Sequence, residues 1–571
     1  MTETVSNPSS VQPAHGQPRV LVIGWDGATW DVIRPLIAEG RLPNLARLLA
    51  RGAHAVLKST LHPLSPQAWS SYETGVNPGK HGVYDWFELN LGPFTPIGAH
   101  SLRVKPFWRY LSDARDKQVV AINLLTAYPP LPVRGAVISG RMAPPGARFT
   151  WPYDLQDALL REVPGYVVDT DPSQGTQYRD MSETEYWQRN MEMVEARTRA
   201  ARYVLTHYAW DVATVIYTAA DIVQHYYWKY WDPTFPGHDP HGPLLEALPG
   251  IYGACDRGLG ELLALAGDET VTVLLSDHGF GPTCQEVNLM AWLREEGFAT
   301  PHQRASLIPT GGELLAALRR WAWSTLPGPI LRQLKAHKPA SLSREHRPEY
   351  ETMGLDWQQT RAYALGMMGN LFVNLAGREP LGIVQPGAEY EAVRTELIDR
   401  LHAWRNPVTG QAMVRRAHRR EEALSGPCLD KAPDILVEWY DYGYAGRTAG
   451  DVRGEVLSPP HEAYLRRLQL SADHRPEGIL ALAGPGIRPG AELPETSLLD
   501  VAPTVLHLLN EAVPTYLDGR VISAALTPEY RATHPVRTCE APIEQSAVGD
   551  ALTPAEAALI QERLKSLGYV E

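Results

Sequence analysis

Short apolar runs alternate with helical patterns along most of the chain. The runs that predict strands are apolar at consecutive positions, as in strands buried on both faces of a sheet. They cover residues 19–24, 55–58, 119–122, 212–217, 270–275 and 479–483. Segments between them, such as 36–49, show the apolar spacing of helices. This alternation predicts an α/β fold with a mainly parallel sheet sandwiched between helices.

The domain organisation follows from length and local composition. A chain of 571 residues exceeds the size at which a single core stops growing, so we expect one large domain with insertions, or two domains. The favoured division is a disordered tail over 1–18, a main domain over 19–527, and a C-terminal tail with a short helix over 528–571. Within the main domain, a stretch at about 90–172 is rich in Pro, Gly and aromatic residues and predicts a cap. A basic stretch at about 303–350 predicts a lid or an exposed excursion.

Composition and charge argue against several classes of partner. The net charge is −12 at pH 7 and no run of Lys or Arg occurs, which argues against a nucleic-acid polymer. No apolar run approaches the length of a membrane span, and the first residues lack the pattern of a secretory signal, so we expect a cytoplasmic protein. The four cysteines lie far apart without a CxxC pair, which argues against a disulfide framework and a thiolate zinc site. The sequence predicts no oligomeric state.

Acidic residues and a histidine follow two of the predicted strands. Asp26 comes after the first strand, and Asp277 and His278 come after the strand at 270–275. Because the carboxyl ends of parallel strands meet at one edge of a sheet, we expect these side chains to lie close together. Buried charges need a cation or a cationic partner. For Asp26 alone, a helix cap or a salt bridge is the favoured explanation, whereas the Asp277–His278 pair favours a metal ion.

Two other segments offer the same kinds of ligand. Asp221 and His225 stand four residues apart, which places them on one face if the segment is helical, although solvated pairs at this spacing are common. His474 lies in a loop just before the strand at 479–483, where a single histidine is ordinarily polar surface. Taken together, the Asp and His residues suffice for two sites of the kind that binds zinc or manganese.

A serine lies at the predicted start of a helix. Ser65 precedes Pro66, a pair that suits an N-cap followed by the first helical residue. The positive end of the helix dipole would stabilise a nucleophile and an anionic phosphate there. Simple capping explains Ser65 equally well. The nearby segment 75–81 is not a phosphate-binding P-loop, because its glycine spacing is one residue short and His81 replaces the required Ser or Thr.

Six segments, in chain order, resemble those of the alkaline phosphatase superfamily, most closely its type I phosphodiesterase/nucleotide pyrophosphatase family. They are VIGWDG, LSPQAWSSYETGVNPGKHG, ADIVQH, LLSDHGFG, DHRPEGILALAGPGI and LLDVAPTVLHLL. The resemblance runs from about Val20 to about Val521 and implies an alkaline-phosphatase-like fold with cap insertions. It also implies two divalent metal ions, zinc first and manganese as the alternative. One ion would be held by Asp221, His225 and His474, and the other by Asp26, Asp277, His278 and the Ser65 oxygen.

The resemblance further implies a reaction. It would be hydrolysis of a phosphodiester or phosphoanhydride, in a nucleotide or related small molecule, by in-line attack of a metal-activated Ser65 through a phosphoseryl intermediate. Members of the family usually have Thr as the nucleophile and an Asn about twenty residues later that binds a phosphate oxygen. This chain has Ser65, with Asp85 and Trp86 at the place of that Asn, which weakens the transfer of nucleotide specificity. The missing phosphate contact could come from Lys80, His81 or Arg141, each of which could equally be a surface residue.

Other activities compete with this interpretation. A sulfatase of the same superfamily needs Pro at the second and Arg at the fourth position after its nucleophile, and Gln67 and Trp69 stand there instead. A phosphomonoesterase on a small phosphorylated metabolite stays open, because it would use the same metal pair. A phosphotransferase or mutase and a catalytically inactive binding protein are less favoured. A small-molecule phosphoester is the partner that we expect.

Overall fold

The computed structural model describes ten stretches of the chain. They are residues 18–169, 181–235, 238, 240–242, 244–283, 285–302, 353–446, 452–457, 471–545 and 552–567. The predicted lid at 303–350, and all but the last residue of the predicted tail over 1–18, lie outside the described residues. Within the described residues, no helix is both long enough and apolar enough to cross a lipid bilayer.

The strands are numbered here in chain order. They are β1 Arg19–Trp25, β2 Gly52–Lys58, β3 Val119–Leu124, β4 Gly135–Ser139, β5 Thr150–Trp151, β6 Val212–Tyr217, β7 Thr270–Leu275, β8 Gly279–Pro282, β9 Gln285–Val287, β10 Ala362–Ala364, β11 Asn370–Val373, β12 Val414–Arg419, β13 Ile435–Trp439, β14 Tyr444–Gly446, β15 Ala472–Arg475, β16 Glu477–Ala483, β17 Ala491–Glu492, β18 Thr496–Ser497, β19 Val513–Pro514 and β20 Thr538–Cys539.

The α-helices are numbered in the same way. They are α1 Trp30–Ala38, α2 Pro43–Arg51, α3 Ser65–Thr74, α4 Pro78–His81, α5 Phe107–Ala114, α6 Asp154–Glu162, α7 Glu183–His207, α8 Ala219–Trp231, α9 Ala247–Ala266, α10 Leu289–Glu295, α11 Ala388–Ala403, α12 Arg420–Ala423, α13 Val501–Leu508, α14 Pro528–Thr533 and α15 Pro554–Leu567.

A ten-stranded sheet forms the centre of the molecule. Its order is β17–β2–β16–β7–β1–β6–β3–β4–β5, with β18 beside β2. The neighbours from β7 through β4 run parallel to one another, and β16 runs antiparallel to both β7 and β2. The predicted α/β class, with a mainly parallel sheet, is confirmed.

Each face of this sheet carries its own hydrophobic core. On β1, Val20 and Val22 enter one core, whereas Leu21 and Ile23 enter the other, because successive side chains of a strand point to opposite faces. Helices α1, α2, α7, α8 and α9 cover the face of Leu21 and Ile23. Helices α3, α5 and α13 cover the opposite face. Burial on both faces explains why the strand sequences are apolar at nearly every position.

A smaller antiparallel sheet adds a second structural unit. Its order is β10–β11–β13–β12, and α11 packs against it. This unit contacts the main domain just before α3, where His62 donates its Nε2–H to the Val437 carbonyl at 3.1 Å. We call this unit, residues 353–446, the antiparallel cap.

Two sequence expectations need correction. The stretch 90–172, predicted as a cap, supplies β3 and β4 to the interior of the main sheet, so the prediction is wrong for those residues. β3 pairs with β6, and β4 pairs with β3, both in parallel, and their apolar runs are buried on both faces of the sheet. The helical pattern at 36–49 is also divided, because α1 ends at Ala38 and Gly40 takes a left-handed φ of +74°. Pro43 then begins α2.

Candidate metal centre

Three strands deliver polar side chains to one edge of the main sheet. Asp26 directly follows β1, α8 with Asp221 follows β6, and Asp277 and His278 follow β7. These three strands are parallel neighbours, so their carboxyl ends coincide. His474 arrives from β15, which pairs with β8 immediately after His278. Side chains from four segments that are distant in sequence thus lie close together at this edge of the sheet.

The first group consists of Asp221, His225 and His474. The i,i+4 pair lies on α8 as predicted, with Asp221 Oδ1 3.5 Å from His225 Nε2. His474 Nε2 lies 3.1 Å from Asp221 Oδ1 and 3.1 Å from His225 Nε2. All three residues are buried. Their ligand atoms therefore face a common point.

The second group consists of Asp26, Asp277, His278 and Ser65. His278 Nε2 lies 3.6 Å from Asp26 Oδ1, 3.4 Å from Asp277 Oδ2 and 3.2 Å from Ser65 Oγ. The two groups adjoin, because the same nitrogen is 3.9 Å from Asp221 Oδ1. The structure thus brings together all seven residues that the sequence proposed as metal ligands.

The hydrogen bonds of the three imidazoles fix their tautomers. Each ring donates Nδ1–H to a backbone carbonyl oxygen, at 3.0 Å for His225, 3.0 Å for His278 and 2.7 Å for His474. A carbonyl only accepts, so each Nδ1 carries a proton, and each Nε2 lies toward the centre, where it could bind a cation. Burial lowers the pKa of His225, and it lowers that of His278 well below 6.5. Burial also acts to lower the pKa of His474, but the hydrogen bond and the charge of Asp221 outweigh it and raise that pKa. Such orientation by a hydrogen bond on the second nitrogen is typical of histidines that bind metals.

The buried carboxylates of the cluster repel one another, and this repulsion shows whether the residues suit bound cations. The Asp26 Oδ1 and Asp277 Oδ2 atoms are buried and have no hydrogen-bond donor among the described residues. Burial, with the charge of Asp221 nearby, raises the pKa of Asp26 from 3.8 to about 7, although Arg141 and the Trp69 indole oppose this rise. Burial, with the charges of Asp26 and Asp221, raises the pKa of Asp277 well above 3.8. Divalent cations would satisfy the buried oxygens and offset the repulsion, so the donor set fits metal ions.

Ser65 does not cap its helix. It is the first residue of α3, Leu64 occupies the N-cap position, and no side-chain cap bond forms. The prediction of an N-cap at Ser65 is therefore wrong by one residue, because Pro66 takes the second helical position and not the first. The buried hydroxyl instead faces His278. Simple capping, the competing explanation for this serine, is excluded.

Two of the predicted substrate contacts are engaged elsewhere. Lys80 forms an ion pair with Asp518 and donates to the Tyr516 carbonyl at 3.0 Å. His81 is fully buried, with Nε2 2.9 Å from the Ser71 hydroxyl and Nδ1 accepting from a backbone N–H. Burial lowers the pKa of His81 to about 3, so the ring is neutral. Both side chains hold the turn after α3 in place.

The other three predicted contacts are Arg141, Trp86 and Asp85. Arg141 forms a buried ion pair with Asp169, and its guanidinium lies 5.5 Å from the centre of the Trp86 ring. The positive charge of Arg141 is close enough to lower the pKa of Asp26. Asp85 accepts the backbone N–H groups of Trp86 and of a cap residue, each at 2.7 Å. Asp85 therefore tethers the antiparallel cap, and Arg141 is the cation beside the candidate centre.

Sequence reasoning missed three residues around the site. A carboxylate oxygen of Asp473 and ring nitrogens of His225 and His474 all lie within 4.8 Å of one another. The indole of Trp69 donates to the carboxylate that follows β1 at 3.1 Å. Asp169 neutralises the cation described above. The position of Asp473 directly before His474 was a usable signal, whereas Asp169 has no local pattern that marks it.

Comparisons with known proteins bear on the family. The sequence profile described as Type I phosphodiesterase / nucleotide pyrophosphatase matches residues 20–444. No curated protein sequence matches the chain. Similar solved structures include murine ectonucleotide pyrophosphatase / phosphodiesterase 5, an inactive variant in complex with AMP, at 12% identity and a TM-score of 0.47, covering 90% of this chain and 100% of that chain.

Two further structures are similar to a comparable degree. Phosphonoacetate hydrolase from Sinorhizobium meliloti 1021, in complex with phosphonoformate, is 15% identical with a TM-score of 0.49, covering 88% of this chain and 100% of that chain. Wild-type alkaline phosphatase PafA is 14% identical with a TM-score of 0.49, covering 90% of this chain and 100% of that chain. The profile match extends over most of the chain and confirms both the predicted family and the predicted class of phosphoric ester hydrolase. The chain belongs to the type I phosphodiesterase / nucleotide pyrophosphatase family.

Proposed function

We propose that this enzyme uses two divalent metal ions to hydrolyse a phosphodiester or phosphoanhydride bond in a nucleotide or a related small molecule. The observation that carries the proposal is the position of Ser65. Its hydroxyl is buried, does not cap α3, and faces a cluster of three carboxylates and three imidazoles. A serine oxygen in such surroundings is a nucleophile and not a structural hydroxyl.

The residues of the cluster have two roles in the proposed reaction, metal binding and nucleophilic attack. Asp221, His225 and His474 would hold one cation, and the group around Asp26 would hold the other. Bound cations supply positive charge that lowers the pKa of the serine hydroxyl and of water, and that stabilises the phosphate oxygens. Ser65 Oγ attacks phosphorus in line with the leaving oxygen, the bond to that oxygen breaks, and a phosphoseryl intermediate forms. The serine proton passes to solvent.

Water completes the cycle. It attacks the phosphorus of the phosphoseryl group, the bond between phosphorus and Ser65 Oγ breaks, and the serine hydroxyl is restored. The positive end of the α3 dipole lies at Ser65 and stabilises the negative charge of the phosphate in both steps. No side chain is required as a separate general base.

The charges around the centre favour a diester over a monoester. A phosphomonoester carries nearly two negative charges at pH 7 because its second pKa is about 6, whereas a diester carries one. Arg141 is paired with Asp169 and Lys80 with Asp518, so neither ion pair adds a net positive charge. These ion pairs leave less uncompensated positive charge for the second negative charge of a monoester, the substrate of the alternative function, a phosphomonoesterase.

The proposal includes the identity of the metal, the class of substrate and the cellular compartment. Asp and His ligands suit zinc first and manganese second. A small-molecule phosphoester is the expected substrate, and a cytoplasmic location stays a prediction from the sequence.

Turnover of two chromogenic esters tests the proposal. The wild-type enzyme should hydrolyse bis-p-nitrophenyl phosphate with a higher kcat/KM than p-nitrophenyl phosphate, lose this activity with a chelator, and regain it with zinc. Ser65→Ala should lose roughly 10³-fold or more in kcat. Ser70→Ala, a buried serine of the same helix outside the cluster, is the matched control and should resemble the wild type. Full diester turnover by Ser65→Ala, or by metal-free enzyme, would refute the proposal.

A further inference from the structure

The C-terminal helix docks on the loop that carries Arg141. Ile560 and Leu564 on α15 are fully buried in the core that also contains α3. Between them, Arg563 is only 3% exposed. Its Nη1 donates to the Arg141 carbonyl at 2.5 Å and to the Ala143 carbonyl at 2.6 Å. A helix near the end of the sequence is thus bonded to a loop that lies about 420 residues earlier.

Burial of the Arg563 guanidinium is unfavourable in free energy unless the group is hydrogen-bonded. A buried guanidinium loses its hydration, and this loss must be offset by hydrogen bonds of good geometry. The two carbonyl oxygens supply them, and charge-assisted hydrogen bonds of this kind are stronger than neutral ones. The same two hydrogen bonds also restrain the loop, because they fix the backbone carbonyls of residues 141 and 143 just after the end of β4.

The backbone at this point determines where the Arg141 side chain lies. Its guanidinium is held between Asp169 and the Trp86 ring. Arg141 follows β4 at the same edge of the sheet at which Asp26 follows β1. A shift of the Arg141 backbone would carry the guanidinium away from the metal-ligand cluster. Misplacement of a contacting group by about 1 Å can reduce turnover about 100-fold.

We propose that Arg563 is a positioning residue: through its bonds to the loop carbonyls it holds the Arg141 guanidinium beside the metal centre, where Arg141 contacts the phosphate group of the substrate. This inference rests on the proposed phosphohydrolase function. It gives the C-terminal helix a role in turnover, although the helix contributes no ligand to the centre.

A double-mutant cycle on kcat/KM for bis-p-nitrophenyl phosphate tests the inference. We expect Arg563→Ala to lower kcat/KM about 10- to 100-fold, and to have no further effect when Arg141→Ala is already present. Equal losses in both backgrounds would show that Arg563 acts through general stability and would overturn the proposal, as would an unchanged kcat/KM in Arg563→Ala. Arg563→Lys retains the charge with fewer donors, and its kcat/KM should lie between those of the wild type and Arg563→Ala. This variant provides the test if the alanine variant does not fold.

The control removes a different tether of the same helix. Tyr128→Phe deletes the hydroxyl that donates to Glu556 on α15 at 3.0 Å without touching the Arg141 loop, and it should leave kcat/KM unchanged. Amide hydrogen exchange of residues 140–146 provides a readout that is independent of turnover. Exchange should accelerate there in Arg563→Ala and not in Tyr128→Phe, and unchanged protection would overturn the proposal. If the wild type hydrolyses neither ester, the proposed function fails, whereas the exchange experiment still decides whether Arg563 holds the loop.

Discussion

Glu73 lies near the end of the helix that begins with Ser65, and it is a buried acid outside the metal centre. Its side chain is fully buried, and it accepts hydrogen bonds from Trp108 Nε1 at 3.1 Å and from Thr126 Oγ1 at 3.0 Å. Burial raises the pKa of Glu73 from 4.5 to about 7, although the two hydrogen bonds oppose the rise. We predict that Glu73→Gln makes the protein more stable than the wild type at alkaline pH.

The sign and size follow from the proton balance. At a pH below 4.5 the carboxyl group is protonated in both states, and between 4.5 and about 7 the unfolded chain loses the proton while the folded protein retains it. Rising pH therefore favours the unfolded state through this window, and the cost is complete above about pH 7. It amounts to about 1 kcal/mol at about pH 5.5 and about 3 kcal/mol at about pH 8. Glutamine does not ionise, so the advantage of the variant should grow by about 2 kcal/mol between these conditions.

The replacement also preserves the local bonds. The amide oxygen of glutamine can accept from Trp108, and its NH₂ group can donate to the Thr126 hydroxyl, which accepts as well as donates. Urea unfolding followed by tryptophan fluorescence, with zinc at a fixed concentration, gives the free energy of unfolding of both proteins at each pH. Glu162→Gln, at an exposed position on α6, is the control and should shift nothing. Parallel stability curves for the wild type and Glu73→Gln would refute the argument.

Three further predictions concern the surroundings of the metal centre. Trp69→Phe removes the N–H that donates to Asp26 and should weaken zinc binding about 10- to 100-fold in competition with a chelating dye; unchanged affinity would contradict the role of that bond. Asp85→Asn places an NH₂ group against a backbone N–H, such as that of Met367. The variant should lose about 1–3 kcal/mol in the free energy of unfolding, and an unchanged urea midpoint would rule out this loss. Asp473→Asn removes a carboxylate beside one cation position, so the purified protein should retain less zinc by elemental analysis, and full retention would exclude Asp473 as a ligand.

The convergence of the candidate ligands could be predicted because each has a local signal. Asp26 and Asp277 follow apolar strands, and parallel strands end at one edge, so their approach needs no knowledge of distant contacts. The pair Asp221 and His225 needs only helical spacing, which α8 provides. The sheet itself was predictable for the same reason, since strands buried on both faces are apolar throughout.

Contacts between distant segments could not be predicted in this way. The bonds from Arg563 to the loop at 141–143 join parts of the chain that no local pattern connects. The pairing of Arg141 with Asp169 likewise depends on how the strand β4 and the segment before α7 pack together. The start of α3 was misplaced by one residue, because a Ser-Pro pair fits either of two helix registers equally well.

The spread of the cluster along the chain has a consequence for biosynthesis. Its members run from Asp26 to His474, so a ribosome has made more than four fifths of these 571 residues before the last of them emerges. A nascent chain can assemble the carboxylates at the ends of β1, β6 and β7 early, but it lacks the imidazole that closes the first group. Chains released prematurely before that histidine would therefore carry a nucleophile without its full complement of ions.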